Sequence, residues 1–168
     1  LSIKTKIPQL EIALGDHHAA IIIRHLEPFS DNDHQLIKDF AKEHDFLIYL
    51  QSGGLDSISP FYPKPMPELF YTIDHSELTF YFKPQQFTQV NAAINVQMTA
   101  KAIELLDLKP TDSALDLFCG IGNFSLCMAK HCRELTGVEG DNSAIAQANL
   151  NAAHNKIDNC QFFYANLF

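Results

Sequence analysis

The chain has no tryptophan, only seven glycines and only twelve lysines plus arginines among its 168 residues. The basic residues face 20 aspartates and glutamates, for a net charge of −8. That balance argues against a free-standing nucleic-acid binder, which needs a basic face for phosphates. The shortage is spread evenly. Residues 1–85 carry seven basic against twelve acidic side chains, and the remainder five against eight. The four cysteines, Cys119, Cys127, Cys132 and Cys160, form no Cys-x-x-Cys pair and have no histidine at zinc-finger spacing. A zinc ribbon and a disulfide framework are therefore disfavoured, and the thiols read as free and reduced, as in a cytoplasmic protein. No run approaches the roughly 18 apolar residues of a membrane helix, so no membrane partner is expected.

With so few glycines, two placed together stand out. The apolar run Ala114 to Phe118, broken only by Asp116, reads as a buried parallel strand. It leads directly into Gly120 and Gly122, then into a helical stretch from Asn123 to Cys132. Glycines let such a corner turn tightly and bring its backbone close to a ligand. The next strand, Leu135 to Val138, ends in Glu139, nineteen residues beyond Gly120. An acidic side chain there can accept hydrogen bonds from ribose hydroxyls.

What the corner is not can also be read. A dinucleotide fingerprint has a third glycine three residues after the second, where this chain has Ser125. The loop also lacks the Lys-Ser/Thr pair of a Walker phosphate cradle. A dinucleotide site and a glycine turn without ligand remain the alternatives.

Asp116-Leu117-Phe118-Cys119-Gly120-Ile121-Gly122-Asn123-Phe124, with the later Glu139, resembles the S-adenosylmethionine loop of class I methyltransferases. The match narrows with Phe87-Thr88-Gln89-Val90-Asn91 before it and Gly137-Val138-Glu139-Gly140 after it. Asn151-Ala152-Ala153-His154-Asn155 and Asn166-Leu167 extend it. Together these resemble the RNA uracil-5-methyltransferases, most of all the branch that acts on 23S ribosomal RNA and carries an iron–sulfur cluster.

The resemblance implies S-adenosylmethionine as cofactor and ribosomal RNA as partner. It implies cofactor contacts at Gln89, Phe118, Asn123, Glu139 and Asn166. Gly120 and Gly122 shape the loop, and Asp116 orients it or serves as a buried structural acid. In this family a cysteine adds to C6 of the target uracil, C5 attacks the methyl group, and a base removes the C5 proton. The resemblance places that cysteine and base beyond residue 168, and the 4Fe-4S cysteines before Leu1. The stretch is therefore expected to be an internal fragment, inactive by itself. Cys119 is expected to line the pocket rather than act as nucleophile. Other class I methyltransferases and a non-catalytic binding module stay open as rivals.

The expected fold class is α/β: a small α+β domain over residues 1–85, then the first half of a Rossmann-like methyltransferase domain over 86–168. Leu10–Leu14 and Ala19–Leu26 suggest a hairpin, Ser30 caps a helix to about His44, and Phe46–Leu50 is a strand. Pro60, Pro63, Pro65 and Pro67 predict an irregular loop. Leu69–Ile73 and Leu78–Phe82 predict a second hairpin in the first domain. A helix from Asn91 to Leu106 is expected to bury Ile94, Met98, Ala102, Leu105 and Leu106, and Ser143–His154 forms the last helix.

Overall fold

The computed structural model describes residues 1–167, so the final residue of the expected second domain lies outside the described residues. The chain divides into two compact units.

The first unit is a four-stranded sheet with one helix. β1 (Gln9–Leu14) and β2 (Ala19–Arg24) pair antiparallel, and β3 (Phe46–Gln51) lies parallel to β2. The parallel step requires a crossover, which α1 (Asp31–His44) supplies. Ser30 caps α1 through a reciprocal box: its hydroxyl accepts from the Asp33 backbone, and the Asp33 carboxylate accepts from the Ser30 backbone. Asp33 is fully buried and also takes both the backbone N–H and the hydroxyl of Ser2. Ile37 and Ala41 join Ile23, Phe29 and Ile48 in the core, while Leu36 and Phe40 stay about half exposed.

The proline loop differs from expectation. Ser59–Tyr62, Pro60 included, forms β4, paired antiparallel to β3. The sheet order β1–β2–β3–β4 explains the exception: β4 is an edge, where a missing N–H breaks no ladder.

The second unit comprises Phe70–Phe82 and the chain from Gln86 onward. The two-stranded ribbon of β5 (Leu69–Ile73) and β6 (Leu78–Phe82), expected in the first domain, thus packs with the second. The reason is a set of side-chain bonds to β6. On α4 (Asn142–His154) and its C-cap, Asn151 brackets the backbone N–H and C=O of Tyr81, and Asn155 brackets those of Thr79. The Lys130 ammonium donates to the Ser76 carbonyl in the ribbon's turn (2.6 Å).

The remaining elements are α2 (Ala92–Leu106), β7 (Ser113–Leu117), α3 (Asn123–Ala129), β8 (Glu134–Glu139) and β9 (Cys160–Tyr164). The three strands run parallel in the order β7–β8–β9. Met128, Ala129, Cys132 and Leu135 form a core under α3. β7 is not buried on both faces: Ala114 and Asp116 are partly covered, while Leu115 and Leu117 are 61% and 51% exposed.

Helix α2 inverts the expectation. It buries Asn95 and Thr99 and leaves Ile94, Met98, Leu105 and Leu106 exposed; only Ala102 of the expected stripe is partly covered. Thr99 satisfies its hydroxyl on the Asn95 and Val96 carbonyls of its own helix. Asn95 finds a partner on α3, described below.

Candidate functional site

Between β7 and α3 the backbone enters the left-handed region three times within five residues: Phe118 (φ 62°), Gly120 (φ 55°) and Gly122 (φ 91°). Glycine tolerates this, whereas a bulky residue is held there at a cost. The turn is tied to the end of β8. Cys119 N–H donates to the Val138 carbonyl (3.1 Å), and Gly122 N–H donates to the Cys119 carbonyl (2.9 Å). A side chain at Gly122 would meet Leu126, Ala148 and Phe162 at 3.4–3.6 Å, whereas Gly120 has open space where a Cβ would stand.

Glu139, the last residue of β8, is the centre of the site. Its Oε2 accepts from Gly120 N–H (3.0 Å), and its Oε1 accepts from the N–H groups of Gly140 (2.7 Å) and Asp141 (3.1 Å). Its carbonyl receives Ala165 N–H (3.0 Å), which brings the end of β9 beside it. The carboxylate is thus fixed by backbone donors against the glycine turn.

Asp116, on β7, accepts from the Ser125 hydroxyl at 2.5 Å. Ser125 occupies the position of the missing third glycine, and it is fully buried. Burial raises the Asp116 carboxyl above its usual range, the Ser125 hydrogen bonds oppose the shift, and the Glu139 charge adds to it. Burial, with Asp116 and Glu139 nearby, pushes the Cys119 thiol up to about 12. Cys119 is therefore a protonated packing group at neutral pH, not an activated nucleophile.

The other expected positions lie on several segments. Phe118 directly follows β7 and is half exposed. Gln89 is half-buried in the non-helical segment two residues before Asn91, which caps α2. Asn166 is exposed just beyond β9. Asn123 opens α3, and its side chain is already engaged. Its Oδ1 accepts from the Tyr71 hydroxyl (2.8 Å) and Asn95 Nδ2 (3.0 Å), and its Nδ2 donates to Asn95 Oδ1 (2.8 Å). Burial pushes the Tyr71 phenol up, so it remains a donor.

Tyr71 and Asn95 carried no role in the sequence, and Gly137 entered only as part of a motif. Gly137 is needed because a Cβ there would sit 2.4 Å from the Phe162 ring. Asn151 and Asn155 were visible only as part of a motif. One signal was available: asparagine is a poor helix former, yet two stand one turn apart on a face of alanines.

No group of three or more His, Cys, Asp or Glu among the described residues is arranged to hold a metal. No helix of the described residues is long and apolar enough to cross a membrane.

Comparison with known proteins gives the family and the fold. The family model described as tRNA (uracil-5-)-methyltransferase matches residues 68–166. The 23S rRNA (uracil(1939)-C(5))-methyltransferase RlmD of Xanthomonas campestris pv. campestris (strain 8004) is 48% identical over 98% of this chain. The protein of the same name from Legionella pneumophila (strain Corby) is 46% identical over 96% of it. The chain spans 37% and 36% of the length of these two relatives. Among solved structures, the Pyrococcus abyssi tRNA (uracil-54, C5)-methyltransferase in complex with S-adenosyl-L-homocysteine superposes with a TM-score of 0.67. It is 21% identical, over 92% of this chain and 38% of that one. The M. jannaschii tRNA m1G37 methyltransferase gives 0.61 at 12% identity, over 97% of this chain and 50% of that one. Both show the fold, that of class I methyltransferases. With its family model matched over more than half its length, the chain belongs to the tRNA (uracil-5-)-methyltransferase family.

Proposed function

We propose that the glycine turn and Glu139 hold S-adenosylmethionine, and that the protein transfers its methyl group to C5 of a uridine in 23S ribosomal RNA. One observation carries the cofactor reading: the Glu139 carboxylate, at a parallel strand end, is fixed by three backbone N–H groups beside an open-faced Gly120. The residues fit the group. An ionised carboxylate is an acceptor only, suited to ribose hydroxyls, and has about four acceptor directions. Three are occupied, and the remaining one is open to a ribose hydroxyl.

Bound there, S-adenosylmethionine supplies an electrophilic methyl group. The residues of this chain bind and orient. Gly120 and Gly122 allow close backbone approach, and Asp116 braces the turn through Ser125. Phe118, Asn123 and Gln89 border the cofactor, with Asn166 on the adenine side. The attacking cysteine and the base belong to other parts of the protein, as do the 4Fe-4S cluster and most of the charge that meets RNA phosphates. The choice of ribosomal over transfer RNA follows the relatives, which are 46–48% identical across almost the whole chain. Such a protein works in the cytoplasm, where its four unpaired thiols stay reduced.

Calorimetric titration of the full-length protein with S-adenosylhomocysteine tests the cofactor site. Glu139→Ala is expected to weaken binding by about 1–3 kcal/mol. Equal affinity in the variant would remove Glu139 from the site, and no binding by the wild type would overturn the cofactor reading. Methyl transfer to 23S but not transfer RNA tests the substrate.

A further inference from the structure

We infer that Tyr71, Asn95 and Asn151 are positioning residues that hold the Gly120–Asn123 turn for the cofactor, with the β5–β6 ribbon as their splint; the inference rests on the cofactor reading above. Gly120 and Gly122 permit the left-handed turn, but their conformational freedom does not fix it in one geometry, and Phe118 is held in the same region at a cost. One flank is tied to β8, through Val138 and Glu139. The opposite flank is gripped by side chains from distant segments.

The Ile121 carbonyl, inside the turn, accepts from Asn151 Nδ2 at 3.1 Å. The same nitrogen donates to the Tyr81 carbonyl (3.1 Å), and Asn151 Oδ1 accepts Tyr81 N–H (2.9 Å) and Gln147 Nε2 (3.4 Å). An amide has two donors and two acceptor sites, so Asn151 is saturated and fully buried. Two residues further on, Asn123 is clasped by the reciprocal amide pair with Asn95 and by Tyr71. Both grips end on the ribbon: Tyr71 belongs to β5, and Tyr81 to β6. The Tyr71 ring stacks on Phe80 (5.2 Å between centroids), so its hydroxyl is delivered from a fixed base.

Asn155 is the internal control. It brackets Thr79 as Asn151 brackets Tyr81, but its second donor bond goes to the Asn151 carbonyl in its own helix rather than to the turn. Both asparagines hold the ribbon; the bond to Ile121 distinguishes Asn151.

The test measures S-adenosylhomocysteine affinity, thermal midpoint, and the separate KM values for S-adenosylmethionine and RNA in the full-length protein. Tyr71→Phe, Asn95→Ala and Asn151→Ala are each expected to raise the S-adenosylhomocysteine Kd by roughly three- to tenfold, with KM for RNA unchanged. Asn155→Ala is expected to lower the midpoint and leave Kd as in the wild type. Tyr71→Phe keeps the stacked ring, so it tests the idea even where an asparagine variant fails to fold. Variants that lower the midpoint alone, or an Asn155→Ala that weakens binding as much as Asn151→Ala, would overturn the positioning role. A wild type that binds no S-adenosylhomocysteine fails separately, because the cofactor reading and the inference resting on it then fall together.

Discussion

Helices α1 and α2, 14 and 15 residues long, fasten to their units by opposite means. α1 is a polar helix with an apolar seam: Ile37 and Ala41 enter the core, and apart from the buried capping carboxylate of Asp33 its acidic residues face water. α2 is the more apolar helix, yet its buried positions are Asn95 and Thr99, while Leu105 is 72% exposed. The difference follows from what each helix must do. A seam of methyl groups is non-directional and secures attachment without fixing the neighbour's orientation. A paired amide is directional, and leaving either partner unsatisfied is costly. α2 lies against the helix that begins at the glycine turn, where orientation matters more than adhesion.

The sharpest way to break this contrast is to substitute each seam. Ile37→Ala should cost the first unit about 2–5 kcal/mol, read from denaturant unfolding, and leave cofactor affinity untouched. An effect below about 1 kcal/mol would mean that α1 is not held by its apolar seam. Gly137→Ala drives a methyl into the Phe162 ring and should cost about 1–3 kcal/mol in the second unit. Asn95→Ala should cost a similar 1–3 kcal/mol, because Asn123 loses both amide bonds.

The α1 cap should show itself through pH. Hydrogen bonds from Ser2, hydroxyl and backbone, and then from Ser30 hold the Asp33 carboxyl well below its ordinary range. A depressed folded-state value means the charged cap contributes stability above about pH 4 and loses it progressively as pH falls further. Asp33→Asn should flatten that part of the stability–pH curve; an unchanged slope would show that Asp33 does not carry it. The smallest effect belongs to α2's outer face: Met98→Ala, at a 39% exposed position, should stay within about 0.5 kcal/mol. If Met98→Ala costs more than Asn95→Ala, the contrast between the helices fails.

Much of the site was legible because its constraints are local. Gly120 and Gly122 mark positive φ in a strand-to-helix turn, and both adopt it. Glu139 ends its strand and reaches Gly120 across a spacing that the residues themselves display. Ser30 caps α1 as its residue type and position suggest. Where the reading erred, long-range partners decided. The apolar residues of α2 outnumber its buried polar ones, so periodicity alone chose the wrong face. Pro60 looked like a strand breaker until β4 proved to be an edge. The ribbon seemed to belong with the strands before it, although its edge is bonded to asparagines 70 and 76 residues away.

The sequence by itself determined the turns, the caps, the strand ends and the carboxylate beside the glycine turn, because each depends on the conformational freedom or hydrogen bonding of a few adjacent residues. Only the tertiary structure decided which face of α2 is buried, to which unit the ribbon belongs, and that Asn95 and Asn151 brace the turn. Directional bonds between amides far apart in the chain set those outcomes, and no local pattern encodes where their partners will be.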